Sequence, residues 1–231
     1  MAKYRTWTCF VTVALGIAVG LIVSQSDASQ VQVEQAQASS DVDATASRLI
    51  AAAEPFEALT EQAFSAQPKK LDRNIAAAEK AVEQARSGLS SDVASELNEQ
   101  LVEIRSARKL NDRSRLALAS VEGYRLLVTA APETKVPTAV SLLDYAGFRY
   151  DADLKSRPIR WSDMRAAIEF ANRQWESISD RITDPALKSK FSATLQQMET
   201  AIARKAAAEA KSGVKTELDL VDKLERYFNR K

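Results

Sequence analysis

The stretch from Ser162 to Ile182 reads SDMRAAIEFANRQWESISDRI. Its apolar residues Met164, Ile168, Ala171, Trp175, Ile178 and Ile182 recur at alternating spacings of four and three, and the positions between them are mostly charged or polar. Side chains spaced in this way line one stripe of an α-helix, and a second helix must cover that stripe.

The same rhythm extends outward in both directions. Downstream, Asp184-Pro185 supplies a cap and a first turn for a helix with Leu187, Phe191, Leu195, Met198 and Ile202 inward. That helix is expected to reach Lys211 and to stop at Gly213. A last helix then presents Val214, Leu218, Val221, Leu224 and Phe228. Upstream, Leu71, Ile75, Ala78, Val82, Ala85 and Leu89 repeat the four-three spacing until Gly88 stops the helix. Ser90, Ser91 and Asp92 offer caps for a helix carrying Leu97, Leu101 and Ile104. Asn111-Asp112 breaks the chain before Ala117, Val121, Tyr124 and Val128. A first helix, with Pro55 as an expected kink and Pro68 as its stop, turns Ala46, Leu49, Ala53, Phe56, Ala63 and Phe64 to one side.

No stretch alternates with a period of two between turn residues, so no sheet is expected. The expected fold is an all-α antiparallel bundle of about seven to eight helices, one domain over residues 42–231. A weak echo hints at two pseudo-repeated halves, 42–131 and 137–231. Glu103-x-x-x-Ala107-Arg108-Lys109 resembles Glu199-x-x-x-Ala203-Arg204-Lys205, and Val121-Glu122 near Tyr124 resembles Val221-Asp222 near Tyr227. Helices rich in Ala, Glu, Lys and Arg also produce such matches without duplication.

At the N-terminus, Lys3 and Arg5 precede an uncharged run from Trp7 to Val23. This is the layout of a signal peptide, and Ser26-Asp27-Ala28 places small residues for cleavage before Ser29. Residues 1–28 are therefore expected to direct export to a periplasm, with residues 29–41 as a flexible leader. The competing reading is an uncleaved anchor that leaves the protein membrane-bound and facing the periplasm, because the apolar run is at the lower edge of a bilayer span. Membrane contact is expected only in that case.

Composition narrows the chemistry. The chain has 32 basic and 31 acidic side chains, and removal of Lys3, Arg5 and Asp27 would balance them. A neutral chain lacks the field that attracts nucleic acid, so no nucleic-acid partner is expected. Cys9 is the only cysteine and falls in the export segment, so no disulfide staples the fold. There is no histidine, which removes the usual general base and the Ser-His-Asp, Cys-His and histidine-zinc arrangements. The expectation is a non-enzyme without cofactor or metal. Glu96, Glu99 and Glu103 share one side of a helix, and Glu217, Asp219, Asp222 and Glu225 alternate with Lys215, Lys223 and Arg226. Both rows read as solvated faces.

The segment bracketed by Pro132, Pro137 and Pro158 differs from the rest, with only a short helix expected between Pro137 and Gly147. Tyr145, Phe148, Tyr150 and Trp161 gather there among Asp144, Arg149, Asp151, Asp153, Arg157 and Arg160. Aromatic rings with polar tips beside arginine are typical of binding surfaces. Asp144, Tyr145, Arg149, Tyr150, Arg160 and Trp161 are thus the candidate contacts; the plainer reading is a crossover pinned down by large side chains. The function expected is a helical interaction or accessory protein of the cell envelope, with another envelope protein or a surface component as partner. The alternative is a periplasmic small-molecule or metal-ion binder with its site between the halves.

Overall fold

The computed structural model describes residues 26–230, and side-chain surroundings from Asp41 onward. The expected export segment lies almost wholly outside the described residues. Residues 1–38 and 39–231 are separate compact units, and the first is described only by the backbone that begins helix α1.

The fold is an all-helical bundle, with no strand among the described residues. Its α-helices are α1 (Ser26–Gln62), α2 (Pro68–Ala85), α3 (Ser91–Lys109), α4 (Arg113–Ala130), α5 (Thr138–Lys155), α6 (Trp161–Ile178), α7 (Pro185–Ala203) and α8 (Ala207–Asn229). The stretch expected as a flexible leader, residues 29–41, is helical: no glycine or proline interrupts the chain between Ser26 and Glu54, and α1 runs through it. Pro55 sits inside α1 without ending it. Pro68 is the first residue of α2, where its missing N–H costs nothing.

The stripes read from the sequence form two separate cores. One is built from α1 to α4, around Leu49, Phe56, Leu71, Leu97 and Leu127, and receives Ala152 from α5. The other is built from α5 to α8, around Leu143, Tyr150, Met164, Phe191 and Val221. In the second set α5 packs on α6, α6 on α7, α7 on α8 and α8 back on α5, which closes a four-helix ring. The two sets meet where α4 packs on α5.

They also share a length pattern. α2 and α6 each have 18 residues and each runs directly into a three-residue 3₁₀ turn. α3 and α7 each have 19 residues and a side-chain N-cap: Ser90 accepts from Val93 N, and Asp184 from Ala186 N and Leu187 N. Two residues past the end of α3 stands Asn111 at φ 53°, and two past the end of α7 stands Lys205 at φ 50°. At both places the next N–H returns to the helix, from Asp112 to the Ala107 carbonyl and from Ala206 to the Ala201 carbonyl, each at 2.8 Å.

Buried residues obey the same register. Leu71, Ile75, Ala78, Val82 and Ala85 of α2 correspond to Met164, Ile168, Ala171, Trp175 and Ile178 of α6, 93 positions on. Leu97, Leu101, Ile104 and Ala107 of α3 correspond to Phe191, Leu195, Met198 and Ala201 of α7, 94 positions on. Even a surface link recurs: Arg105 donates to Glu79 between α3 and α2, and Asn172 donates to Glu199 between α6 and α7. The motif echo in the sequence has a different offset, so it does not trace this correspondence.

Two boundaries differ from expectation. The break after α7 falls at Arg204–Ala206, and α8 passes straight through Gly213. Gly213 serves close packing: a Cβ there would stand 2.7 Å from Met198 Cγ. α5 is likewise a full 18-residue helix and not a short one, because Gly147 allows close approach of α8, where a Cβ would stand 2.7 Å from Leu218 Cδ2. At the end of α1, the Arg113 guanidinium donates to the otherwise orphaned carbonyls of Ala63 and Ala66, at 2.8 and 3.0 Å.

Trp175 stacks on Phe191 with ring centroids 4.4 Å apart, and its indole Nε1 donates to Ser192 Oγ at 2.9 Å. Trp175→Ala is expected to lower the unfolding free energy by about 3–5 kcal/mol, as a large-to-small change in a packed core. Denaturant titration measures it, and a loss under about 1 kcal/mol would contradict the assignment of this face to the core.

Candidate functional site

Helix α5 carries most of the candidate contacts and sits between the two cores, so its faces look in different directions. Tyr145 and Arg149 lie one turn apart and point at α4. The Tyr145 hydroxyl donates to Glu122 Oε1 at 2.8 Å, and Arg149 pairs with the same carboxylate. Glu122 is held from its own helix by Arg125, at 2.8 Å. The Tyr145 ring packs edge-on against Phe170 of α6, at 5.3 Å, and under the Arg125 guanidinium.

Arg149 also reaches one turn along α5, where its Nε donates to Asp153 Oδ2 at 3.3 Å. Asp153 is fully buried. Arg160, which precedes α6, brings Nε to 3.4 Å from the other oxygen and also pairs with Asp163. Glu122, Arg149, Asp153 and Arg160 thus form a chain of alternating charge that crosses the seam from α4 to α6. Burial pushes the Asp153 carboxyl up to about 6, against the pull of Arg149 and Arg160. Burial likewise raises the Tyr145 hydroxyl, and the Glu122 carboxylate beside it adds to that rise.

The remaining candidates face elsewhere. Tyr150 is fully buried in the second core, and its hydroxyl donates to the Met198 carbonyl at 3.2 Å. Trp161 begins α6 and packs half-buried against the same core. Asp144 is buried on a different face of α5, near Tyr124 of α4 and Glu57 of α1. The structure therefore joins Tyr145, Arg149 and Arg160 in one network, and separates Asp144, Tyr150 and Trp161 from it. Tyr145 and Arg149 face the first helical set across α4, whereas Tyr150 and Trp161 belong to the second core.

Glu217 was read as part of a solvated row and is instead buried, with 1% of its surface exposed. The signal was available in the spacing. Val214, Glu217, Val221, Leu224 and Phe228 follow the four-three pattern, so Glu217 occupies a core position of α8. Its carboxyl lies over Gly147, with Oε2 only 2.2 Å from where a Cβ would stand. Of the acidic row on α3, Glu96 and Glu99 are exposed and Glu103 holds Arg115 in a two-pronged pair at 2.6 and 2.8 Å. Among the described residues no group of three or more acidic side chains is placed to hold a metal ion.

An open surface hollow of about 400 Å³ lies between α2 and α3. Ile75 and Ala76 form its floor, and the pairs Asp72–Arg108 and Glu79–Arg105 flank it. No protein-family model, curated protein sequence or solved structure matches this chain.

The raised Asp153 carboxyl gives a signed expectation. The folded state keeps that proton to higher pH than the unfolded chain does, so its contribution to stability is complete below the ordinary value of 3.8 and is lost as pH rises to about 6. The melting temperature of wild type relative to Asp153→Asn should therefore fall between pH 4 and pH 6 and stay level above about pH 7. A difference that is constant across that window would contradict the buried environment assigned to Asp153.

Proposed function

We propose that this chain is an exported, non-enzymatic helical interaction protein of the cell envelope, and that the outer face of α2 and α3 contacts its partner. The supporting observation is a difference between the two helical sets at matching positions. Val102 and Leu110 expose 59% and 64% of their surface. The residues in their register on the second set are Gln196 and Arg204. Val102 lies one turn before Arg105, which lines the open hollow floored by Ile75 and Ala76. Apolar side chains next to a shallow groove with a charged rim are the anatomy of a protein contact.

The absence of histidine and the mutual pairing of Glu122, Arg149, Asp153 and Arg160 favour a non-catalytic role, since those groups are occupied with one another. Of the six residues first singled out from the sequence, Tyr145, Arg149 and Arg160 then act in the network at the joint of the two sets, and Tyr150 and Trp161 in the second core. For export, the support is the sequence layout of residues 1–28. Among the described residues no helix is long and apolar enough to cross a membrane.

A chain recovered from the periplasm should have the mass of residues 29–231. Val102→Ser with Leu110→Ser should leave the melting temperature nearly unchanged, because exposed positions contribute little, while reducing capture of the partner from an envelope extract. Equal capture by wild type and the double variant would contradict this surface, and a mass that retains residues 1–28 would contradict cleavage.

A further inference from the structure

The correspondence between the two helical sets supplies an internal control for α5 and α8. A shift of 94 positions also lays buried Leu49, Ala52 and Phe56 of α1 on buried Leu143, Ala146 and Tyr150 of α5, and Leu126 and Leu127 of α4 on Leu220 and Val221 of α8. With that shift, Ile50, Ala53 and Gly123 of the first set fall where Asp144, Gly147 and Glu217 stand in the second. In the first set this place is apolar: Gly123 is pressed by the Phe56 ring, whose nearest atom is 2.3 Å from where a Cβ would stand. In the second set it holds two buried carboxyls. Asp144 and Gly147 lie one turn apart on α5, and Glu217 of α8 reaches across to lie over Gly147. Asp144 exposes 6% of its surface and Glu217 1%, and neither Glu217 oxygen has a hydrogen-bond partner.

A buried carboxylate without a partner is costly, and the usual relief is to hold a proton. Around Asp144 the helices add negative charge: Glu57 from α1, and Glu217, Asp222 and Glu225 from α8. α4 contributes the buried Tyr124 hydroxyl, whose proton burial holds in place. Burial, followed by Glu57, Glu225, Glu217 and Asp222, holds the Asp144 carboxyl well above the ordinary range. Burial alone does the same to Glu217. Among the described residues these carboxyls do not converge with a third into a metal-holding group. The cation that needs no cavity and no further ligand is the proton.

We infer that Asp144 and Glu217 form a buried proton site between α5 and α8, closed while the carboxyls are protonated and loosened when they ionise. The sign follows from linkage. The folded state retains these protons above the ordinary carboxyl range, so closure of α8 on α5 is tightest at acidic pH and weakens as pH rises. The first set lacks the two carboxyls, so its matching pair of helices does not share this response. The site is independent of the α2–α3 surface, and of whether the chain is exported.

Amide hydrogen exchange of the full chain, read by mass spectrometry, tests this with α8 peptides from 207–229 as reporter and α4 peptides from 113–130 as control. Glu217→Gln and Asp144→Asn are compared with wild type at each pH, which removes the intrinsic pH dependence of exchange. At pH 4, α8 of the variants and wild type should exchange alike. Toward pH 8, α8 of Glu217→Gln should exchange more slowly than wild type, the gap widening about tenfold per pH unit while the wild-type carboxyl remains protonated only in the fold. In openings short of global unfolding, the α4 peptides should show no such gap. Asp144→Asn repeats the test without altering the Glu217 contact with Gly147. If neither variant shows a gap that grows with pH, or if α4 shows it equally in openings short of global unfolding, the inference is overturned.

Discussion

The contact between α4 and α5 is the constraint on which the rest of the molecule depends. Each helix set buries its own apolar stripes, and without a sheet or a disulfide in the described fold, something must couple the two cores. That coupling is mixed in character. Tyr124 meets Phe148 edge-on at 6.1 Å, and Ala152 of α5 is buried in the first core. Beside these apolar contacts, Arg149 ties Glu122 of α4 to Asp153 of α5. Removing one partner from such a half-buried pair leaves an uncompensated charge, so the network specifies how the helices dock more than it adds net stability.

Much of the fold was legible because most helices have a polar side and a covered side. The stripes of α2, α3 and α6 account for most of their buried residues, with Ala107 and Ala167 buried in addition and Leu89 beyond the end of α2, since a surface helix with one apolar face offers little ambiguity. Ser90 and Asp184 could be read as caps, and both side chains accept from the first turn of the helix that follows, whereas Asp112, read only as part of a break, caps α4 in the same way. The boundary errors at α5 and α7 came from treating small residues as stops. Gly147 and Gly213 lie inside helices where a neighbour comes too close for a side chain, and no local pattern distinguishes that use from a C-cap. The real stop after α7 is Lys205 in the left-handed region, which its residue type does not advertise.

The candidate site was legible only as a region. An excess of aromatics and arginines did mark the joint, but sequence proximity could not show that neighbours on α5 point into different surroundings. Tyr150 fills a core while Tyr145, little more than one turn earlier, reaches across to α4. Glu217 shows the complementary failure: its charge outweighed its position in the reading, although the spacing placed it inward. The correspondence of the two sets stayed hidden for a similar reason. What recurs is helix length, cap geometry and burial, whereas the residues filling equivalent places differ, as Phe56 and Tyr150 or Gly123 and Glu217 illustrate.

Coupling across α4 and α5 makes the two cores one cooperative unit, and that is the claim most exposed to a direct measurement. Trp161 and Trp175 both lie on α6, so in a Trp7→Phe background tryptophan fluorescence reports the second core alone, while far-ultraviolet circular dichroism reports every helix. Denaturant unfolding followed by both signals should give coincident transitions with one midpoint and one slope. A fluorescence transition displaced from the dichroism transition, or a dichroism curve with two steps, would show that the sets unfold independently and that the α4–α5 contact does not join them.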